Sequence, residues 1–157
     1  MGSDFSHVGA SGEPRMVSVS GKEVTQRVAR AQAKVWLGPA VLSRFDGADI
    51  PSKKGAVFQT AVIAGVMAAK KTSDLIPLCH PVSIEDCQIT MTVEGEYVRI
   101  QTRVSVTDRT GVEMEALTAA AVAALTVYDM CKAISHDLRI EEVLLLEKTG
   151  GKSDFVR

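Results

Sequence analysis

The sequence predicts an α+β fold in which helices pack on one face of an antiparallel sheet. Three observations carry that expectation. Residues 29–37 and 97–107 alternate apolar and polar side chains, the period of a half-buried strand. Two stretches, Gly55 to Thr72, apolar on most sides, and the uncharged Ala116 to Tyr128, are too long for strands and suit helices. Glycine and proline punctuate the joins between them.

Taken in order, residues 1–15 are rich in Gly, Ser and Pro and are read as a flexible N-terminal segment before a single domain over 16–157. The alternation from Ala29 to Leu37 predicts the first strand. Gly38-Pro39 breaks it, and Pro39 suits the opening of a short helix through Phe45. A loop follows from Asp46 to Lys54. Gly55 to Thr72 predicts a helix whose end carries Lys70-Lys71, a favourable place for cations. Ser73 to Pro81 is a loop stiffened by Pro77 and Pro81.

Strands are expected over 84–93 and 97–107, joined at Glu94-Gly95-Glu96, with Val98, Ile100, Thr102, Val104 and Val106 on one face. Thr110-Gly-Val-Glu113 has capping-box spacing and opens a second long helix running to about His136. Residues 138–147 form the last strand, and the tail from Thr149 to Phe155 is a loop. The resulting order is the split βαβ, ferredoxin-like one.

Lys plus Arg number 18 and Asp plus Glu 19, a net charge of -1, so the chain lacks the cationic excess of a nucleic-acid binder. Aromatic residues are only 4%, so the core is built from small side chains that each bury little area, and added burial through oligomerisation is expected. The longest apolar stretch, Ala116 to Val127, is too short to cross a bilayer, and no membrane partner is expected. No basic-then-apolar leader opens the chain, and Met1-Gly2 with Ser6 matches an acylation pattern of low specificity. Cys79, Cys87 and Cys131 are odd in number and lack CxxC spacing, which points to a reducing cytoplasm.

Several residues are candidates for chemistry. His80 lies between two prolines in Leu78-Cys79-His80-Pro81, as a ligand contact, a proton carrier or a loop histidine bonded to a carbonyl. Zinc needs further ligands that no second Cys/His pair supplies, so no metal site is expected. Glu113 and Glu115 flank Met114 at a helix start, where Glu113 suits capping. Asp129 and Lys132 are three apart after an uncharged stretch, either a proton-transfer pair at a buried helix end or a surface ion pair. His136 lies four further on. Lys53-Lys54, Lys70-Lys71, Lys148 and Lys152, with an anion nest at Gly150-Gly151, suit a polyphosphate if they converge. Gly150-Gly-Lys-Ser153 is not a P-loop, because Leu146 stands at its first glycine position.

Lys54-Gly55, Ile63-Ala64-Gly65, Ala68-Ala69-Lys70, Asp74-Leu-Ile-Pro-Leu-Cys-His-Pro81, Thr110-Gly-Val-Glu-Met-Glu-Ala-Leu-Thr118 and Tyr128-Asp-Met-Cys-Lys-Ala133 closely resemble the MoaC family of molybdenum cofactor biosynthesis. The resemblance spans about residues 14–155. It implies a ferredoxin-like subunit in a hexamer, a trimer of dimers, with active sites at a subunit interface. It implies conversion of (8S)-3′,8-cyclo-7,8-dihydroguanosine 5′-triphosphate to cyclic pyranopterin monophosphate with release of pyrophosphate.

By the same resemblance Asp129, Lys54 and Lys132 are catalytic. Leu78, Cys79, His80, Met114 and Glu115 bind substrate, with Glu113, Lys70, Lys148 and Lys152 as further contacts. Ala56 and Val62 depart from the family's common Asp and Arg, and the tail is one residue shorter than in some relatives. No cofactor is implied, and whether Mg²⁺ accompanies the triphosphate is left open. The competing class is a non-catalytic ligand-binding module on the same fold.

Overall fold

The computed structural model describes residues 8 and 11–157. Met1, Gly2 and Ser6, and most of the expected flexible segment 1–15, lie outside them. The first strand, β1 (Thr25–Trp36), holds the middle of a five-stranded sheet. It is followed by α1 (Gly38–Leu42), a two-residue ladder of β2 (Pro51–Ser52) with β3 (Gly55–Ala56), α2 (Val57–Lys70) and α3 (Thr72–Leu75). A hairpin of β4 (Asp86–Glu94) and β5 (Tyr97–Asp108) leads into α4 (Glu113–Cys131). β6 (Arg139–Thr149) and β7 (Phe155–Val156) end the chain.

The sheet order is β4-β5-β1-β6-β7 with every neighbour antiparallel. β4 is thus separated from β1 by β5, the split βαβ arrangement that the element order predicts. Alternation decides the buried face. Ala29, Ala31, Ala33 and Val35 of β1 and Val98, Ile100, Val104 and Val106 of β5 pack beneath α4. The other face carries cross-strand ion pairs, Arg30 with Glu147 and Arg103 with Asp86 at 3.3 Å each.

α4 meets this sheet through Ala116, Ala120, Ala123, Ala124 and Val127, all fully buried. Small residues allow close approach. A Cβ added at Gly65 of α2 would sit 3.0 Å from the Ala119 carbonyl oxygen of α4, so the two helices touch nearly backbone to backbone there. Thr102 on β5 donates its hydroxyl to the Ala116 carbonyl at 2.8 Å, which fixes the first turn of α4 against the sheet. Among the described residues α4 is the one helix long and apolar enough to cross a bilayer, and half of that span is buried inside the fold, as in a core helix.

Several expectations need correction. α4 ends at Cys131 rather than near His136. The Ile134 amide closes back on the Cys131 carbonyl at 2.9 Å and the Ser135 hydroxyl takes the Asp137 amide, so the chain turns to bring Leu138 into the core. His136 is therefore off the helix and exposed. Thr110-Gly-Val-Glu113 forms no capping box. Glu113 is the first helical residue, no side chain caps Val112, and the Glu113 carboxylate turns to Lys148 instead. The 46–54 loop contains the β2 strand, α3 interrupts the 73–81 loop, and β7 closes the tail.

Candidate active site

The C-terminal end of α4 gathers three of the expected residues. Asp129 lies in its last turn and Lys132 at its C-cap. Lys54 reaches them from the tip of the β2–β3 ladder. There Gly55, at φ 112°, makes a turn that other residues rarely adopt. Ser52 locks the tip, donating its hydroxyl to the Gly55 carbonyl at 2.8 Å and accepting the Lys54 amide at 3.1 Å. Asp129 then takes Lys54 Nζ on Oδ2 at 3.0 Å and Lys132 Nζ on Oδ1 at 2.7 Å.

This trio borders a cavity of about 410 Å³ whose rim adds Lys53 and Arg44. The Asp129 and Lys132 side chains are about half exposed, at 51% and 49%, so this is not the buried helix end considered from sequence. The Lys132 hydrogen bond, with that of Lys54, holds the Asp129 carboxyl below its usual range. The same bond raises Lys132 above the usual lysine value. Burial does not make Lys132 a neutral base here. It stands as an ammonium, a proton donor and a cation for an anionic ligand.

At the other end of α4, a second cavity of about 410 Å³ joins two segments that are far apart in sequence. Leu78, Cys79 and His80 form one wall, and Glu113, Met114 and Glu115 the other. Glu113 and Glu115 diverge, as residues two apart on a helix must. Glu113 pairs with Lys148 at 3.4 Å. Glu115 is 3% exposed. Burial, with a smaller contribution from Glu113, pushes its carboxyl up to about 7 against the pull of its own backbone amide. Burial and the two glutamates also raise the Cys79 thiol, so it is not a thiolate nucleophile at neutral pH.

Beside this cavity lies a cationic recess of about 340 Å³ lined by Lys22, Arg27, Lys148 and Lys152, with Thr110, Gly111 and Glu113 on the shared edge. Lys22 and Arg27 escaped the sequence reading because neither belongs to a motif. Their signal is strand register. Val28 pairs with Thr149, which draws the Gly150–Lys152 tail alongside Arg27. Arg27 donates to the Asp108 and Glu23 carbonyls at 3.3 and 3.4 Å, which leaves its charge unneutralised by those contacts. The expected nest at Gly150-Gly151 is partly spent, since the Gly150 amide already donates to Asp154. Lys70 lies apart, exposed in the last turn of α2, where it counters the rise of the Cys87 thiol.

The two ends are far apart. Glu113 and Asp129 are 16 residues apart on one helix, roughly 24 Å at 1.5 Å per residue. His80, Lys148 and Lys152 therefore do not share a cavity with Asp129 within one protomer.

A sequence model described as the MoaC family matches residues 16–151. The cyclic pyranopterin monophosphate synthase of Streptomyces avermitilis is 51% identical over 149 residues, covering 95% of this chain and 86% of that protein.

Proposed function

The chain belongs to the MoaC family, and on that premise we propose that it is a lyase of molybdenum cofactor biosynthesis that makes cyclic pyranopterin monophosphate. The substrate in this reading is (8S)-3′,8-cyclo-7,8-dihydroguanosine 5′-triphosphate, and pyrophosphate is the second product. The observation that carries it is the carboxylate of Asp129 held between two ammonium groups beside a cavity that can take a nucleotide-sized ligand.

Two kinds of step are needed. Rebuilding the purine-ribose skeleton moves protons at nitrogen, carbon and oxygen. Lys132 enters as an ammonium and can give a proton, and Lys54 is the second lysine in reach. Closing the cyclic phosphate forms a bond from a substrate hydroxyl oxygen to the α-phosphorus. The bond from that phosphorus to the leaving pyrophosphate breaks, and the hydroxyl proton passes to a base. Cations stabilise the charge that grows on the leaving group. Lys22, Arg27, Lys148 and Lys152 supply that field, while Glu115 and the Leu78–His80 loop grip the ring.

In this reading one substrate uses the α4 C-terminal end of one protomer and the N-terminal end of another, in a hexamer built as a trimer of dimers. The separation along α4 supports it, as do the exposed apolar side chains of Ile63, Met67 and Leu125 on the helices. Three free thiols suit a reducing cytoplasm. The test is incubation with the cyclised GTP derivative. One pyrophosphate per pterin product is expected, and tight binding without turnover would make the chain a binding module instead.

A further inference from the structure

We infer that Asp49 is a positioning residue for Lys54, acting as the helix cap that Ala56 does not provide. This rests on the reading of Lys54 as catalytic. α2 opens after Ala56, which has no side-chain acceptor for the free amides of the first turn. Asp49, seven residues upstream, supplies one. Its Oδ1 accepts the Phe58 amide at 2.7 Å and its Oδ2 the Gln59 amide at 3.1 Å. The carbonyl of its neighbour Ile50 accepts the Val57 amide at 3.1 Å.

The consequence lies in the chain between these bonds. Residues 50–56 leave Asp49 and return to the helix it caps, so the carboxylate clamps both ends of the segment that carries Lys53 and Lys54. Oδ1 also accepts the Ile50 amide at 2.6 Å, which fixes the outgoing strand. Asp49 is itself held, since its amide donates to Asp46 at 2.8 Å and its carbonyl accepts the Asp46 amide at 3.0 Å. Above the clamp, the Pro51–Ala56 and Ser52–Gly55 pairs and the Ser52 hydroxyl carry its geometry to Lys54. A set of hydrogen bonds thus runs from Asp49 to the backbone of Lys54, whose side chain meets Asp129.

The test compares Asp49→Ala, Asp49→Asn and the double variant Asp49→Ala/Ala56→Asp. A carboxylate introduced at the N-cap itself can accept the Phe58 and Gln59 amides without Asp49. Asp49→Ala is expected to lower kcat roughly tenfold or more while KM moves less than about threefold, because Lys54 is misplaced but still present. Asp49→Asn, with one carbonyl acceptor left, should fall between. The double variant should recover to within about threefold of the wild-type kcat. Amide hydrogen exchange should quicken over residues 50–59 in Asp49→Ala, stay unchanged in α4, and slow again in the double variant.

A wild-type kcat in Asp49→Ala overturns the inference. So does a kcat that stays low in the double variant although exchange in the first turn of α2 has returned to normal. A wild-type protein that makes no product would instead strike the catalytic reading. The exchange pattern then judges the clamp alone, and unchanged exchange over 50–59 in Asp49→Ala refutes it.

Discussion

The two ends of α4 hold acids in opposite circumstances. Asp129 at the C-terminal end is half exposed, gripped by two lysines and held below its usual pKa. Glu115 at the N-terminal end is buried, no ion pair reaches it among the described residues, and its pKa is raised to about 7. The helix field alone would order them the other way, favouring a negative charge at the N-terminus and opposing one at the C-terminus. Direct cation contacts overrule the field at one end, and burial overrules it at the other. The result is an ionised carboxylate that orients ammonium groups and, far from it, a carboxyl that can carry a proton near neutrality.

The strongest way to break this comparison is to disable each end in a different chain. Lys54→Ala and Lys132→Ala are each expected to abolish turnover with the fold intact, since both side chains are exposed and no core cavity opens. His80→Ala damages the opposite end. When Lys132→Ala and His80→Ala chains are co-expressed, sites that combine ends from two protomers should regain about a quarter of wild-type activity at equal mixing. Mixed oligomers that stay inactive would mean that both ends must belong to one chain. That would leave roughly 24 Å to be bridged along one helix.

The next test concerns Glu115 alone. Its folded-state pKa lies above the unfolded value of 4.5, so burial favours the neutral form. Well below pH 4.5 both states hold the proton and the group adds no difference. As pH rises from about 4.5 through about 7 the unfolded chain ionises first, and stability falls, on the order of 3 kcal/mol in all. Glu115→Gln removes the titration and should flatten that fall, a change read from urea midpoints at fixed protein concentration. Parallel pH profiles for variant and wild type would show that the carboxyl is solvated in the working assembly.

What the sequence reading caught and missed follows from the range of the interactions. Alternation in 97–107 identified the inward face of β5 because a strand's side chains obey a local period. The two long stretches identified α2 and α4 for the same reason, and the Asp129–Lys132 pair followed from helix spacing. The contact of Lys54 with Asp129 spans 75 residues and was visible only through resemblance. Lys22 and Arg27 gained their place from the register of β1 with β6, which local sequence does not encode. The expected capping box failed because Glu113 found a better partner in Lys148, 35 positions away. The departure at Ala56 from the family's common Asp was legible, but that Asp49 caps α2 was not.

The smallest expected effect sharpens the cationic side of the N-terminal end. Lys152 is exposed in the tail, and none of the ion pairs among the described residues includes it. Lys148, by contrast, is already engaged with Glu113. An uncommitted lysine gives an incoming phosphate more than a committed one, because no existing pair has to be broken. A charge-assisted phosphate contact contributes about 1.5–3 kcal/mol, so Lys152→Ala should raise the dissociation constant of a triphosphate analogue roughly tenfold or more. Lys148→Ala should cost less, since Lys148 has to give up its pair with Glu113 before it can meet the phosphate. Exposed charges are screened over about 8 Å at physiological ionic strength and more steeply above it, so high salt should narrow the gap between Lys152→Ala and wild type. Titrating both variants at two ionic strengths checks the order. Equal affinity of Lys152→Ala and wild type at low salt would leave phosphate recognition to Lys22, Arg27 and Lys148. It would make the tail lysine a solvated charge.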